Sequence, residues 1–190
     1  MKKQITPETR KKLLSLARES IMEKFTGIAP PSYENLKKNP SVQSKNGVFV
    51  TLKKNKDLRG CIGTVVNTIP LFDSVRYMAK ESAFRDPRFP PVSREEVDDI
   101  VIELSLLSIP EKTDGPENIK LGEHGIILKK NERQSLFLPQ VATEQCWDLE
   151  TTLTHLSLKA GLSGDAWKSS DCTFKVFRAF YFNEKDLKDE

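Results

Sequence analysis

The sequence predicts an α+β fold in which mostly antiparallel β-sheet packs against helices in two lobes. A long amphipathic pattern near the N-terminus indicates a helix, and short strand-like runs follow in the order hairpin, helix, strand. The same order returns in the second half of the chain. We therefore expect a single domain over residues 1–190, with lobes at approximately 1–110 and 111–190.

The first helix has clear signals at both ends. Thr6 is a suitable N-cap, and Pro7 suits the first helical position because its missing N–H would have no partner there. Gly27 is typical of the residue that ends a helix. Between them, five apolar residues recur on one face. They are Leu13, Leu14, Ala17, Ile21 and Phe25.

The rest of the first half predicts a hairpin, a helix and a strand. Two strand-like runs flank the polar connection Asn55–Asp57, which is typical of a β-hairpin. Pro70 opens a helix, which ends before Asp86-Pro87 because a residue ahead of proline disfavours helical backbone. Asp99–Ser108 is apolar on both faces at most positions, so we expect a central strand. The hairpin strands are Gly47–Lys54 and Leu58–Val66.

The second half repeats this order. Two runs around Asn131–Gln134 indicate a second hairpin, and Asp148 and Gly161 are suitable N-cap and stop residues for a helix between them. A single strand, Thr173–Phe182, closes the chain. The hairpin strands and the helix are Ile126–Lys130, Ser135–Leu138 and Leu149–Lys159.

Composition excludes several classes of protein. The longest apolar stretch, Ile100–Ile109, is far shorter than the roughly 20 residues of a membrane span. No apolar segment follows the first lysines, so we expect no secretion signal and no membrane association. Three widely spaced cysteines do not suggest a disulfide framework, and a cytoplasmic location is expected. The net charge of +3 is too small to indicate a polyanionic partner.

The hexapeptide LRGCIG, Leu58–Gly63, is the most informative segment of the sequence. Strand alternation predicts two faces, one with Arg59, Cys61 and Gly63 and the other with Leu58, Gly60 and Ile62. Glycines so close together weaken a strand, and they usually mark a bulge or the close approach of a ligand or another backbone. We therefore take this strand as one wall of a functional site.

The chemistry of that face points to a candidate site. Arg59 is within reach to stabilise a thiolate at Cys61, and a guanidinium, a thiol and a missing side chain at Gly63 suit a small anion or electrophile. The alternative is that Cys61 is simply a small buried hydrophobe, as most free cysteines are. For Cys146 and Cys172 we expect that structural role.

Two further segments contribute candidates. His124 lies in a turn between glycines, and it is a candidate base for Cys61 if the fold brings them together; the alternative is a solvated turn histidine. The rigid turn that begins at Asp86 carries Arg88, which either joins Arg59 in an anion site or pairs with Asp86. With Gly60 and Gly63, Asp86 and Arg88 are the candidate ligand-binding residues.

Other sites lack support in the sequence. Phosphate-binding and dinucleotide-binding motifs are absent, as are metalloprotease and hydrolase motifs, so the sequence leaves the cofactor unknown. The cysteines and histidines lack the spacing of zinc ligands, and no metal site is predicted. Paired lysines are interleaved with acidic residues, which favours a solvated surface over a nucleic-acid interface.

The chain resembles the AMMECR domain family, whose prokaryotic members are called protein A of the AmmeMemoRadiSam system. The hallmark of that family, LRGCIG, is present without departure at Leu58–Gly63. Six other segments match in order, so the resemblance covers nearly the whole chain. They are Asp86–Phe89, Glu103–Ser105, His124-Gly125, Leu138–Val141, Cys146–Asp148 and Lys159–Leu162.

The resemblance implies an α+β fold with a larger and a smaller lobe and a cleft beside the LRGCIG strand. The name of the system implies association with a Memo-like protein and a radical SAM protein. Three functional hypotheses follow. The first is an enzyme or small-molecule binder that uses Cys61, with Arg59 and Arg88 holding an anionic group and His124 as base. The second is a non-catalytic interaction module for those partner enzymes, and the third, ranked last, is an RNA- or DNA-binding protein.

Overall fold

The computed structural model describes residues 5–186 and confirms the α+β class. Over these residues the α-helices are α1 (Pro7–Thr26), α2 (Glu34–Lys37), α3 (Pro40–Gln43), α4 (Leu71–Phe84), α5 (Pro139–Glu144) and α6 (Leu149–Lys159). The strands are β1 (Asn46–Lys54), β2 (Asp57–Val66), β3 (Ile100–Leu107), β4 (Glu111–Thr113), β5 (Gly125–Lys130), β6 (Arg133–Phe137), β7 (Thr173–Phe177) and β8 (Ala179–Asn183). Among the described helices, none combines the length and the apolar character needed to cross a bilayer.

The chain divides into two compact units. The first unit contains the described residues up to Leu107 and those from Phe180 onward, and the second contains Ser108–Ala179. The sheet of the first unit has the strand order β2-β1-β3-β8, and the sheet of the second has the order β4-β7-β5-β6. Strand β1 pairs antiparallel with both β2 and β3, and β3 lies between β1 and β8, so β3 is central, as predicted. The cleft that the resemblance implies stays a prediction.

One face of the first sheet forms the core of its unit. Alternate residues of β1, namely Val48, Val50 and Leu52, are fully buried, and they pack with the apolar faces of α1 and α4. We call this the inner face of the first sheet and the opposite one the outer face. Because side chains alternate along a strand, Phe49, Thr51 and Lys53 of β1 belong to the outer face.

The helix ends follow the sequence signals. Thr6 accepts a hydrogen bond from the Thr9 amide at 3.2 Å, and Gly27 ends α1 with φ of 68°. Asp148 caps α6 through the Thr151 amide at 2.8 Å. These local predictions are confirmed because a cap depends on a few neighbouring residues and not on the tertiary fold.

The C-terminal strand differs from its prediction. The expected single strand over Thr173–Phe182 is interrupted at Arg178, and its two parts join different sheets as β7 and β8. Both backbone groups of Arg178 bond to Ser108 instead of to a ladder: the Arg178 amide donates to Ser108 Oγ at 2.9 Å, and its carbonyl accepts from the Ser108 amide at 2.8 Å.

A β-bulge interrupts β2 beside the first glycine of LRGCIG. Gly60 lies opposite Leu52 and Leu58 lies opposite Lys53, so Arg59 is an extra residue in the register. The predicted alternation is therefore wrong for Leu58, which lies opposite an outer-face residue and is 43% exposed, whereas Gly60 is buried on the inner face. Gly60 does mark a bulge, which is one of the two roles that the glycine spacing suggested.

Gly60 is also where the last turn of α4 meets the sheet. A Cβ at this position would collide with the carbonyl oxygen of Ser82, so only glycine allows the helix to approach so closely. The buried Ser82 hydroxyl accepts a hydrogen bond from the Ile62 amide at 2.8 Å and donates to the Val50 carbonyl at 2.7 Å. A helix side chain thus bridges two strands at this point of the ladder.

We expect Gly60→Ala to lower the free energy of unfolding by about 1–3 kcal/mol, because the added methyl must push α4 away from β2. Urea unfolding measures this loss. Gly164→Ala is a matched control, since its Cβ would meet only a Thr154 methyl at 3.1 Å and the end of Leu158. Equal stability of the two variants would show that the approach of α4 does not require Gly60.

Candidate functional site

Strand β2, which carries LRGCIG, is an edge strand. The segment Asp86–Glu96, which we call the edge segment, bonds to its outer edge. Asp86 Oδ2 accepts a hydrogen bond from the Cys61 amide at 2.8 Å, and Arg88 Nη2 donates to the Cys61 carbonyl at 3.1 Å. Both backbone groups of Cys61 are thereby satisfied without a neighbouring strand, which blocks edge-to-edge pairing at this residue.

The two side chains of this clamp are themselves paired. Arg88 Nε and Nη2 donate to Asp86 Oδ1 and Oδ2 at 2.9 and 2.7 Å, an arrangement that fixes both planar groups. The Asp86 side chain is only 2% exposed. Its pKa is held well below the usual range, chiefly by the bond from Arg88, with the Cys61 amide also contributing. Asp86 also raises the pKa of Arg88, and the Cys61 side chain raises it further.

Arg59 forms a second ion pair with the edge segment. Its Nε donates to Glu96 Oε1 at 2.6 Å, and the bond lowers the pKa of Glu96. The Arg59 side chain is only 13% exposed, and its Nη1 is shielded with no hydrogen-bond partner among residues 5–186. The Arg59 guanidinium lies 6.0 Å from the centre of the Phe89 ring, and the Arg88 guanidinium lies 5.5 Å from the same ring centre. Arg59 thus anchors the edge segment to β2.

The Cys61 thiol lies on the outer face of the first sheet and is half-buried. Its sulfur is 3.3 Å from Thr51 Oγ1 on the neighbouring strand. The register continues from Thr51 to Glu103 on β3, so a thiol, a hydroxyl and a carboxylate form a row across three strands. Lys53 Nζ lies 3.1 Å from Glu103 Oε2 and adds a cation beside the row.

Sequence reasoning did not name Thr51, Lys53 or Glu103 as candidates. Glu103 carried a signal, because it is the one ionisable residue of the mostly apolar β3. No sequence signal beyond strand alternation marks Thr51 or Lys53, since their relation to Cys61 depends on the register of the hairpin.

Gly63 shapes the same face. A Cβ on Gly63 would collide with the Phe49 ring and with the backbone of β1. The ring therefore lies against the strand where a side chain would otherwise stand. The predicted close approach at this glycine comes from a neighbouring strand.

His124 belongs to the second unit. Its Nδ1 accepts a hydrogen bond from the Lys120 amide at 3.2 Å, and desolvation, followed by Arg178, lowers its pKa. The imidazole is consequently neutral over a wider pH range than a solvated histidine. The hypothesis that it serves Cys61 as a base stays a prediction.

The remaining cysteines also lie in the second unit. Cys146 is exposed, so the expectation that it is a small buried hydrophobe is wrong. Cys172 is half-buried, and desolvation raises its pKa. His155 stacks on Trp147 with ring centres 4.1 Å apart. Within residues 5–186 there is no group of three or more His, Cys, Asp or Glu that is arranged to hold a metal ion.

Comparisons with known proteins identify similar chains. A family model described as AMMECR1 matches residues 14–182. A protein of Methanopyrus kandleri is 40% identical over 98% of this chain and 93% of its own length, and one of Aquifex aeolicus is 38% identical over 93% of each. The crystal structure of an uncharacterized protein from Pyrococcus horikoshii superimposes with a TM-score of 0.83 at 38% identity, covering 96% of this chain and 94% of that one.

We expect Asp86→Asn to destabilise the first unit by about 2–4 kcal/mol at pH 7, because the buried pair with Arg88 is lost. Since folding depresses the pKa of Asp86, its contribution is complete above the ordinary aspartate value of about 4 and is lost as the pH falls below it. Urea unfolding at pH 7 and at acidic pH measures both effects.

The difference between wild type and Asp86→Asn should therefore shrink as the pH falls. Asp98→Asn is the control, since Asp98 pairs with Arg94 at 3.3 Å but is largely exposed, and exposed pairs contribute little. A difference between wild type and Asp86→Asn that is unchanged at acidic pH would contradict the role of the Asp86 charge.

Proposed function

The chain belongs to the AMMECR1 family, and we propose that it binds a small polar molecule at Cys61, on the outer face of the first sheet. The observation that carries this proposal is the polar surroundings of Cys61: Thr51 Oγ1 lies 3.3 Å from its sulfur, and Arg88 Nη2 donates to its backbone carbonyl at 3.1 Å. Structural cysteines pack among apolar atoms, whereas functional ones occupy partly exposed, electropositive surroundings. Cys61 is partly exposed and has polar neighbours, which agrees better with a functional role.

The proposal gives each residue a role. Cys61 is the ligand contact, and it is the nucleophile if a reaction follows binding. Arg88 is half-exposed, so its outward N–H groups are available to an anionic group. Arg59 is a positioning residue, because its Nε is committed to Glu96 and it holds the edge segment beside the thiol. His124 as base belongs to the enzymatic form of the hypothesis.

A second candidate function is an interaction module for partner enzymes such as Memo-like and radical SAM proteins. One observation favours it: Gly60, Asp86 and Arg88 all have structural partners within the first unit. These residues are required by the fold whether or not a ligand binds. A bound ligand would account for the polar side chains around the thiol on the outer face. The reactivity of Cys61 therefore distinguishes the two candidate functions.

We expect Cys61 to react with iodoacetamide faster than Cys172 at pH 7.5, because Cys172 is desolvated and its pKa is raised. Peptide mass spectrometry of the folded protein measures both rates, and exposed Cys146 provides an internal reference. An unmodified Cys61 in protein whose Cys172 has fully reacted would overturn the proposal and favour the interaction module.

Thr51→Val tests the polar surroundings directly. Removing the hydroxyl should slow the alkylation of Cys61 by about threefold or more, because a donor to the thiolate is lost. The rate of Cys146 should not change. Thr64→Val is the matched control, since the Thr64 hydroxyl bonds to the Val66 carbonyl. An equal effect of both substitutions on Cys61 would show that Thr51 does not tune the thiol.

A further inference from the structure

A cavity of about 270 Å³ opens on the first unit at the far end of the row that begins at Cys61. Its walls come from β1, from the β1–β2 turn, from β3, and from the end of β8 with the segment that follows it. We call it the lysine pocket, and the residues that line it are Lys53, Lys56, Val101, Glu103, Asn183 and Lys185.

The pocket has an excess of positive charge. Glu103 is its one carboxylate among the lining residues, and it is engaged by Lys53 at 3.1 Å. Lys56 and Lys185 form no ion pair within the described part of the chain, and both are exposed. Two ammonium groups at the mouth of a concave surface favour an anionic group, which they bind as point charges.

Local backbone structure holds these lysines at the pocket. Lys56 has φ of 74° in the two-residue turn of the β1–β2 hairpin, which fixes it beside the end of β1. The Lys185 amide donates to Asn183 Oδ1 at 2.8 Å, which turns the chain after β8. The pocket therefore depends on the hairpin and on the return of the C-terminal strand.

Register connects the pocket to the thiol. Cys61, Thr51 and Glu103 occupy one row across adjacent strands, and Glu103 also lines the pocket. Because adjacent strands lie about 4.8 Å apart, the row spans on the order of 10 Å. A molecule of that length can contact the sulfur at one end and the lysines at the other.

We infer that the lysine pocket binds the carboxylate or phosphate of an elongated ligand whose other end contacts Cys61. This inference rests on the proposed function and names the class of its ligand. It assigns the anionic end of the ligand to Lys56 and Lys185, because Arg59 is paired with Glu96. Arg88 remains next to the end of the ligand that contacts the thiol.

The test uses two maleimides that differ only in charge, maleimidohexanoic acid and its uncharged amide. A thiolate adds to the maleimide double bond, and the carboxylate of the acid lies at the far end of a six-carbon chain. We expect the acid to label Cys61 about fivefold or more faster than the amide, because the lysines raise its local concentration. Exposed Cys146 should show no such preference, and mass spectrometry resolves the two sites.

The double variant Lys56→Gln, Lys185→Gln should abolish the preference for the acid. The control Lys38→Gln, Lys45→Gln removes the same charge from exposed positions outside the pocket and should keep it. A ratio of about one between the acid and amide labelling rates of wild-type Cys61 would overturn the inference. An equal loss of the preference for the acid in both double variants would also overturn it. Failure of Cys61 to react with either maleimide would instead overturn the proposed function.

Competition distinguishes the two anionic groups. Pyrophosphate and malonate at equal ionic strength should slow labelling by the acid but not by the amide, and the stronger competitor identifies the preferred group. If neither slows labelling by the acid, the pocket does not bind anions and the inference fails.

Discussion

The hydrogen bond from the Cys61 amide to the buried Asp86 carboxylate is the constraint on which the rest of the first unit depends. An edge strand presents backbone groups that have no neighbouring strand. In β2, Asp86 and Arg88 satisfy those of Cys61, and the ion pair between Arg59 and Glu96 fastens the same segment further along the chain. Polar side chains at this edge therefore satisfy backbone groups that would otherwise pair with another strand.

This arrangement fixes the outer face as well as the edge. The bulge at Arg59 and the bridging Ser82 hydroxyl set the register of β2 on β1, and that register places Cys61 opposite Thr51. A one-residue slip would move the thiol to the inner face. The residues that hold LRGCIG in the fold therefore also position its thiol. The two proposed functions differ in whether a small ligand contacts the sulfur.

Local features of the chain could be predicted and long-range ones could not. The caps at Thr6 and Asp148 follow from neighbouring residues, and the strand character of LRGCIG was evident. The closely spaced glycines predicted a bulge or a close approach, and a bulge is present. That this bulge places Leu58 on the outer face was not predicted. The break at Arg178 depends on bonds to Ser108, 70 residues away in sequence, and no local pattern carries such information.

Hydrogen exchange of the Cys61 amide tests the central claim most directly. If Asp86 holds this amide, it should exchange as slowly as amides of central strand β3 in the wild type and much faster in Asp86→Asn, while amides of β3 change little. NMR spectroscopy at neutral pH resolves the individual rates. Rapid exchange of Cys61 in the wild type, or protection that survives the substitution, would contradict the account.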